Sequence, residues 1–221
     1  MPTEMNIPDN GRSAEINKTV ILADGSYPVH EIPLNYLRNA ARIICCDGSA
    51  GTLIAGGYIP EAIVGDLDSL TMEMASRFSD RLYRDDEQKT NDLTKSVKWC
   101  VSRNYADIVI LGATGKREDH TIGNISLLAD YVKLADVMMV TDTGIITPHL
   151  KSSIFSSFPG QQVSVFSIDP ETEITSTGLK YRLEKMKLGN WWQATLNEAT
   201  DHSFELAFEG GPLLVYRKFR E

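Results

Sequence analysis

The chain has 221 residues, with 30 Asp+Glu against 22 Lys+Arg for a formal net charge of −8, and it is 42% hydrophobic and 24% charged. That composition fits an ordinary globular protein of one or two domains and excludes a disordered or fibrous one. The acidic balance excludes non-specific nucleic-acid binding and a basic membrane-surface helix, since both depend on Lys and Arg.

The charge is uneven: residues 1–145 hold 21 of the acids and 14 of the bases. Residues 1–17 contain acids, Pro and Gly without an apolar core, and read as a flexible tail and not a signal peptide. No later run approaches the ~20 apolar residues of a membrane span. Three cysteines, two of them adjacent (Cys45, Cys46, Cys100), make a poor disulfide framework. They read as buried small hydrophobes in a reducing compartment, so a cytoplasmic location is expected.

From Thr19 onward, apolar bursts alternate with segments of helical periodicity. The bursts are Val20–Ala23, Ile43–Cys46, Ala62–Val64, Ile108–Leu111 and Val137–Val140; the helical spacings include Leu93, Val97, Val101 and Ile122, Ile125, Leu128, Val132. This predicts an α/β layer on a mostly parallel, buried sheet over residues 18–146. Such sheets bind ligands beyond the carboxyl ends of their strands, and several of those ends are small or acidic here: Asp24-Gly25, Asp47-Gly48-Ser49, Gly65-Asp66, Gly112-Ala113. From 147 to 221 the texture changes to short period-2 segments (Val163–Ile168, Ser203–Phe208) with Pro-Gly and Gly-Gly turns. This predicts a small all-β sandwich domain, with a hint of two opposed faces at Trp191-Trp192 if that pair lies on a strand.

Three segments could carry chemistry. Asp66 and Asp68, spaced i and i+2 after a strand, suit a hard cation that prefers oxygen ligands, although Asp and Ser also serve as turn and cap residues. Glu87–Lys95 opens a helix, where Asn91 or Thr90 could cap and Asp92 complement the dipole, or where Gln88 and Asp92 could join the Asp66/Asp68 turn. Gly112–His120 is a Gly-rich loop with two adjacent cations, Lys116 and Arg117, able to approach phosphates; it is neither a Walker A loop nor a dinucleotide fingerprint.

In order, CDGSAGTL, IVGDLDSL, EQKTNDLTK and LGATGKREDHTIGNI, followed by GLKYRLE and ATLNE, resemble the thiamine pyrophosphokinase (thiamine diphosphokinase) family over nearly the whole chain after the tail. The resemblance implies transfer of the diphosphate of ATP to the hydroxyl of thiamine, with Mg²⁺, releasing AMP. It also implies an α/β catalytic domain followed by a β-sandwich, and a homodimer with thiamine at the subunit junction. By position, it places Asp66, Asp68 and Asp92 as metal-holding and catalytic acids. Asp47, Gly48, Ser49, Lys116, Arg117 and Asp119 fall at the ATP site, and Gln88, Asn91, Thr195, Asn197 and Trp192 at the thiamine site. Two positions depart from the family pattern: Asn91 stands where Thr is usual, and Leu196 where a small Ser is common. The rival readings are an ATP-dependent kinase of another small alcohol and a non-catalytic thiamine or nucleotide sensor.

Overall fold

The computed structural model describes residues 18–220, so the expected tail lies outside the described residues. The chain separates into two compact units between Asp142 and Thr143. In the first, β1 (Thr19–Leu22), β2 (Arg42–Cys46), β3 (Ala62–Gly65), β4 (Leu82–Arg84), β5 (Asp107–Leu111) and β6 (Asp136–Val140) form a sheet in the order β6-β5-β1-β2-β3-β4. Every neighbouring pair is parallel. The apolar bursts become these strands because a parallel sheet is covered on both faces and needs no alternation. Val20, Ile21, Ile44, Ile63 and Ile110 are fully buried accordingly. Strand β4 has no apolar burst; three residues at the sheet edge, all partly or fully exposed, leave no pattern to read.

The helices of this unit are α1 (Glu31–Arg38), α2 (Ala50–Ala55), α3 (Met72–Arg77), α4 (Asp92–Ser102) and α5 (Glu118–Tyr131). Three of the starts are capped by side chains, the first by His30, whose ring accepts from the Ile32 N–H ahead of α1. Thr71 accepts a hydrogen bond from the Met74 N–H, and Asn91 accepts from Thr94. Glu87–Asn91, expected to open α4, instead forms a turn ahead of it, in which Glu87 accepts from the Lys89 N–H and the Thr90 hydroxyl. Among the described residues, no helix is long and apolar enough to cross a membrane.

The second unit is all antiparallel. β7 (Gly144–His149), β9 (Gln162–Ser167), β12 (Asn197–Glu198) and β14 (Leu213–Lys218) are ordered β12-β9-β14-β7. β8 (Ser153–Ser156), β10 (Glu173–Thr177), β11 (Met186–Lys187) and β13 (Ser203–Glu209) are ordered β11-β10-β13-β8. Inward residues of both sheets, among them Phe155, Val163, Ile174, Leu206 and Val215, make one core, with Phe155 and Phe204 stacked at 4.7 Å. The Trp191-Trp192 pair lies in a turn instead of a strand. Its members still differ: Trp191 packs on Phe166 and donates to the Ser167 carbonyl, while Trp192 is 71% exposed.

Candidate active site

The carboxyl ends of β1, β2 and β5 and the starts of α4 and α5 surround a cavity of about 360 Å³ within the first unit. Asp24, Asp47, Asn91, Asp92, Lys116 and Arg117 line it. This is the place at which a sheet of this kind binds ligands, because the strand ends splay into loops there.

Asp47 opens a short 3-10 turn directly after β2 and is 3% exposed. Its Oδ1 accepts from the Gly48 N–H at 2.7 Å, while Oδ2 is buried with no hydrogen-bond partner. Burial raises its pKa, as do the charges of Asp92 and Asp66, against the backbone N–H groups of Gly48 and Leu67. Gly65 makes room for it, since a Cβ there would stand 2.8 Å from the Asp47 carboxyl carbon.

Directly after Gly65 the chain turns through Asp66-Leu67-Asp68. Leu67 has φ +68°, a left-handed conformation costing a side-chain-bearing residue about 1–2 kcal/mol. That bend lets the Asp68 N–H reach back to Asp66 Oδ1 at 3.3 Å, and this contact is the leading cause of the lowered pKa of Asp66. Among the described residues, Asp47, Asp66 and Asp68 each place one carboxylate oxygen so that all three lie within 4.8 Å of one another. An all-oxygen set of this kind, with one buried oxygen left unpartnered, fits a hard divalent cation.

Asp92, expected beside Asp66 and Asp68 as a metal ligand, begins α4 and lines the cavity but stands outside this group of three. Its Oδ1 accepts from Lys95 Nζ at 2.9 Å, and the Lys95 side chain is only 4% exposed. Burial pulls the Lys95 pKa down, but Asp92, Asp66 and Asp85 together raise it, so the ammonium stays charged.

The cations of the Gly-rich loop are each held by an acid. Lys116 donates to Asp24 at 2.7 Å. Arg117 forks onto Asp119 at 3.1 and 2.5 Å, and this pairing is the main reason the Asp119 pKa falls to about 2. Asp119 thus meets the cavity through Arg117 without lining it. Gly48 lines the cavity beside Asp24, but the buried Ser49 hydroxyl is committed to the Leu22 and Cys46 carbonyls at 2.7 and 2.8 Å. Ser49 therefore braces the turn.

Asn91 caps α4 by accepting from the Thr94 N–H and hydroxyl, and its Nδ2 donates to Asn124, which in turn donates to the Ala113 carbonyl. Where a Thr cap would end, the amide continues as a bridge from α4 to α5 and the β5 loop. Gln88 is exposed and does not line the cavity.

The remaining expected residues belong to the second unit. The Thr195 hydroxyl donates to the Trp192 carbonyl. Asn197 is buried, its amide accepting from the Tyr181 and Glu198 N–H groups and donating to the Tyr181 carbonyl. Sequence reasoning missed Asp24, Asn124 and the buried Lys95 as site residues. Asp24 had a signal, an acidic strand end; Asn124 and Lys95 had only their helical phase.

Residues 34–141 match the family described as thiamin pyrophosphokinase, catalytic domain, and residues 144–216 match thiamin pyrophosphokinase, substrate-binding domain. Thiamin pyrophosphokinase 1 of Caenorhabditis elegans is 28% identical over 141 residues, covering 58% of this chain and 58% of that one. Thiamine pyrophosphokinase 2 of Oryza sativa subsp. japonica is 30% identical over 146 residues, covering 59% and 55% respectively. The match thus spans less than two thirds of the length of these two relatives. The crystal structure of thiamine pyrophosphokinase from Bacillus subtilis superposes with a TM-score of 0.74 at 25% identity, covering 92% of this chain and 100% of that one. With both family domains matched in order and the fold shared throughout, the chain belongs to the thiamin pyrophosphokinase family.

Proposed function

We propose that the protein is a thiamine diphosphokinase, transferring the diphosphate of ATP to the hydroxyl of thiamine to give thiamine diphosphate and AMP. The observation that carries the reading is the convergence of Asp47, Asp66 and Asp68 beside a cavity that also presents Lys116 and Arg117. Asp47, Asp66 and Asp68 would hold Mg²⁺, which supplies charge neutralisation to the phosphate oxygens when bound. The thiamine hydroxyl oxygen forms a bond to the β-phosphorus as the bond from that phosphorus to the α-phosphate oxygen breaks, and AMP leaves.

The chain's own groups position this displacement. Lys116 and Arg117 exchange Asp24 and Asp119 for phosphate oxygens, while Asp92, fixed by Lys95, orients the hydroxyl and accepts its proton. The acidic surroundings favour thiamine's cationic ring and oppose ATP arriving without its metal. Gln88 and Asn91 from the α/β unit and Trp192 and Thr195 from the β unit, which begins at Thr143 and not at 147 as the sequence suggests, are assigned to thiamine, with Asn197 holding the loop that carries Thr195. We place the active protein as a homodimer that uses the β part for thiamine binding and dimerisation. Its three buried free thiols suit the cytoplasm.

Incubation with ATP, Mg²⁺ and thiamine, assaying AMP and thiamine diphosphate, tests the reading. Both products are expected in equal amounts. Formation of ADP would make the protein an ordinary kinase of a small alcohol, and tight thiamine binding without either product would make it a sensor.

A further inference from the structure

Lys116 and Asp24 line the cavity from two different strand ends, and their ion pair at 2.7 Å joins the loop after β5 to the loop after β1. The backbones beneath the pair are fastened together. The Gly25 N–H donates to the Gly112 carbonyl at 2.6 Å, and the Ser26 N–H to the Thr114 carbonyl at 2.7 Å. A Cβ at Gly25 would stand 2.4 Å from both of those oxygens, so the approach admits only glycine. On its other side the Asp24 carboxylate rests on the turn after β2, where a Cβ at Gly48 would come within 2.8 Å of the carboxyl carbon. The carboxylate is thus seated between fixed loops, whereas the ammonium ends a flexible four-carbon stem. Both are about half-exposed, so a phosphate can reach the lysine.

We propose that Asp24 is a positioning residue that acts through Lys116: it is a fixed competitor for the ammonium, which a phosphate must displace, and so it lowers the affinity of the cavity for nucleotide. The inference rests on the nucleotide reading given above. The two ion pairs of the Gly-rich loop differ in this respect. Arg117 is paired within its own turn, two residues from Asp119, so that pair can move as one. Lys116 is paired with an acid 92 residues away, which stays with the β1 loop when the lysine leaves. Its move to a phosphate oxygen exchanges one charge-assisted hydrogen bond for another and leaves an unpaired carboxylate beside the bound anion. The same pull acts on the product and draws the lysine back from AMP.

The test is a double-mutant cycle on ATP binding, with Mg²⁺ and without thiamine, read by isothermal titration calorimetry. Asp24→Asn is expected to bind ATP about fivefold tighter than wild type, the scale of a half-exposed ion pair. Lys116→Gln is expected to bind it more weakly. Adding Asp24→Asn to Lys116→Gln should recover less than about twofold, because only a screened repulsion is left to remove. A merely structural Asp24 would lower the thermal midpoint of Asp24→Asn without tightening ATP. Unchanged or weaker binding by Asp24→Asn, or an equal gain in the Lys116→Gln background, overturns the proposal. So does unchanged binding by Lys116→Gln, an arm that leaves Asp24 in place. ATP binding that follows the cycle without formation of thiamine diphosphate counts against the proposed activity alone. Absence of ATP binding to wild type removes the nucleotide reading and this inference with it.

Discussion

Each of the two units buries a cation, and they treat it in opposite ways. In the α/β unit Lys95 is paired at 2.9 Å with Asp92, a carboxylate that lines the cavity. In the β unit Arg217 is 1% exposed, donates from Nη1 to the Ser156 carbonyl and lies 5.4 Å from the Phe155 ring centre. Its Nε and Nη2 have no partner, and burial alone lowers its pKa to about 9. The contrast shows that a buried charge by itself says little about chemistry. What marks a site is convergence, with several opposed charges brought to one solvent-reached point by independent strand ends. Arg217 is closed into the β unit, held by the Ser156 carbonyl and the face of the Phe155 ring.

The sharpest way to break this comparison is Asp66→Asn, which leaves the fold of the strand end intact but removes a charge from the convergent group. Turnover is expected to fall roughly 10³-fold, in line with loss of a principal charge-stabilising group, with the thermal midpoint unchanged. Ordinary kinetics in the Asp66→Asn variant, with the same Mg²⁺ dependence as wild type, would end the metal assignment.

The β unit should respond instead through stability. His149 is buried, with its Nε2 2.9 Å from the Thr147 hydroxyl, and burial, then Arg217, lowers its pKa from 6.5 to about 3. Above pH 6.5 folded and unfolded chains both hold it neutral, and its contribution is complete. As pH falls below 6.5 the unfolded chain takes up a proton that the folded chain refuses. Stability should therefore drop by about 2 kcal/mol by pH 5, continuing toward pH 3. Urea titrations at pH 7 and pH 5 measure this, and His149→Gln should flatten the difference; an equal slope in both proteins would contradict it.

The smallest effect tests the bridge between helices. Asn91→Ala removes the cap of α4 and should cost about 1 kcal/mol of stability. Asn91→Thr should restore the cap but not the link to Asn124. If both variants lose the same stability, the amide contributes through the bridge and not the cap.

Much of the α/β unit was legible because parallel strands are continuous apolar runs and most of them end in a readable cluster. Asp47, Asp66 and Asp68 were visible as strand-end acids, and Asn91 as a cap. What stayed hidden depended on distance in three dimensions. The family resemblance grouped Asp92 with the metal acids. It could not foresee that Lys95, one turn later, would take that carboxylate. Strand β4 and the turn at Trp191-Trp192 were obscured for a simpler reason: short edge and turn segments carry too few residues for periodicity to register.

The strand order β6-β5-β1-β2-β3-β4 has a consequence for how the protein comes into being. Among the described residues the first strand, β1, lies inside the sheet, flanked by β2 on one side and on the other by β5, which comes much later in the chain. Until β5 arrives, β1 has an open edge and the loop carrying Lys116 has no place to stand. Long-range parallel pairing of this sort is slow, and unpaired edges in the meantime invite aggregation. The cavity, which the loop after β5 helps to line, is therefore complete only once the central sheet has closed.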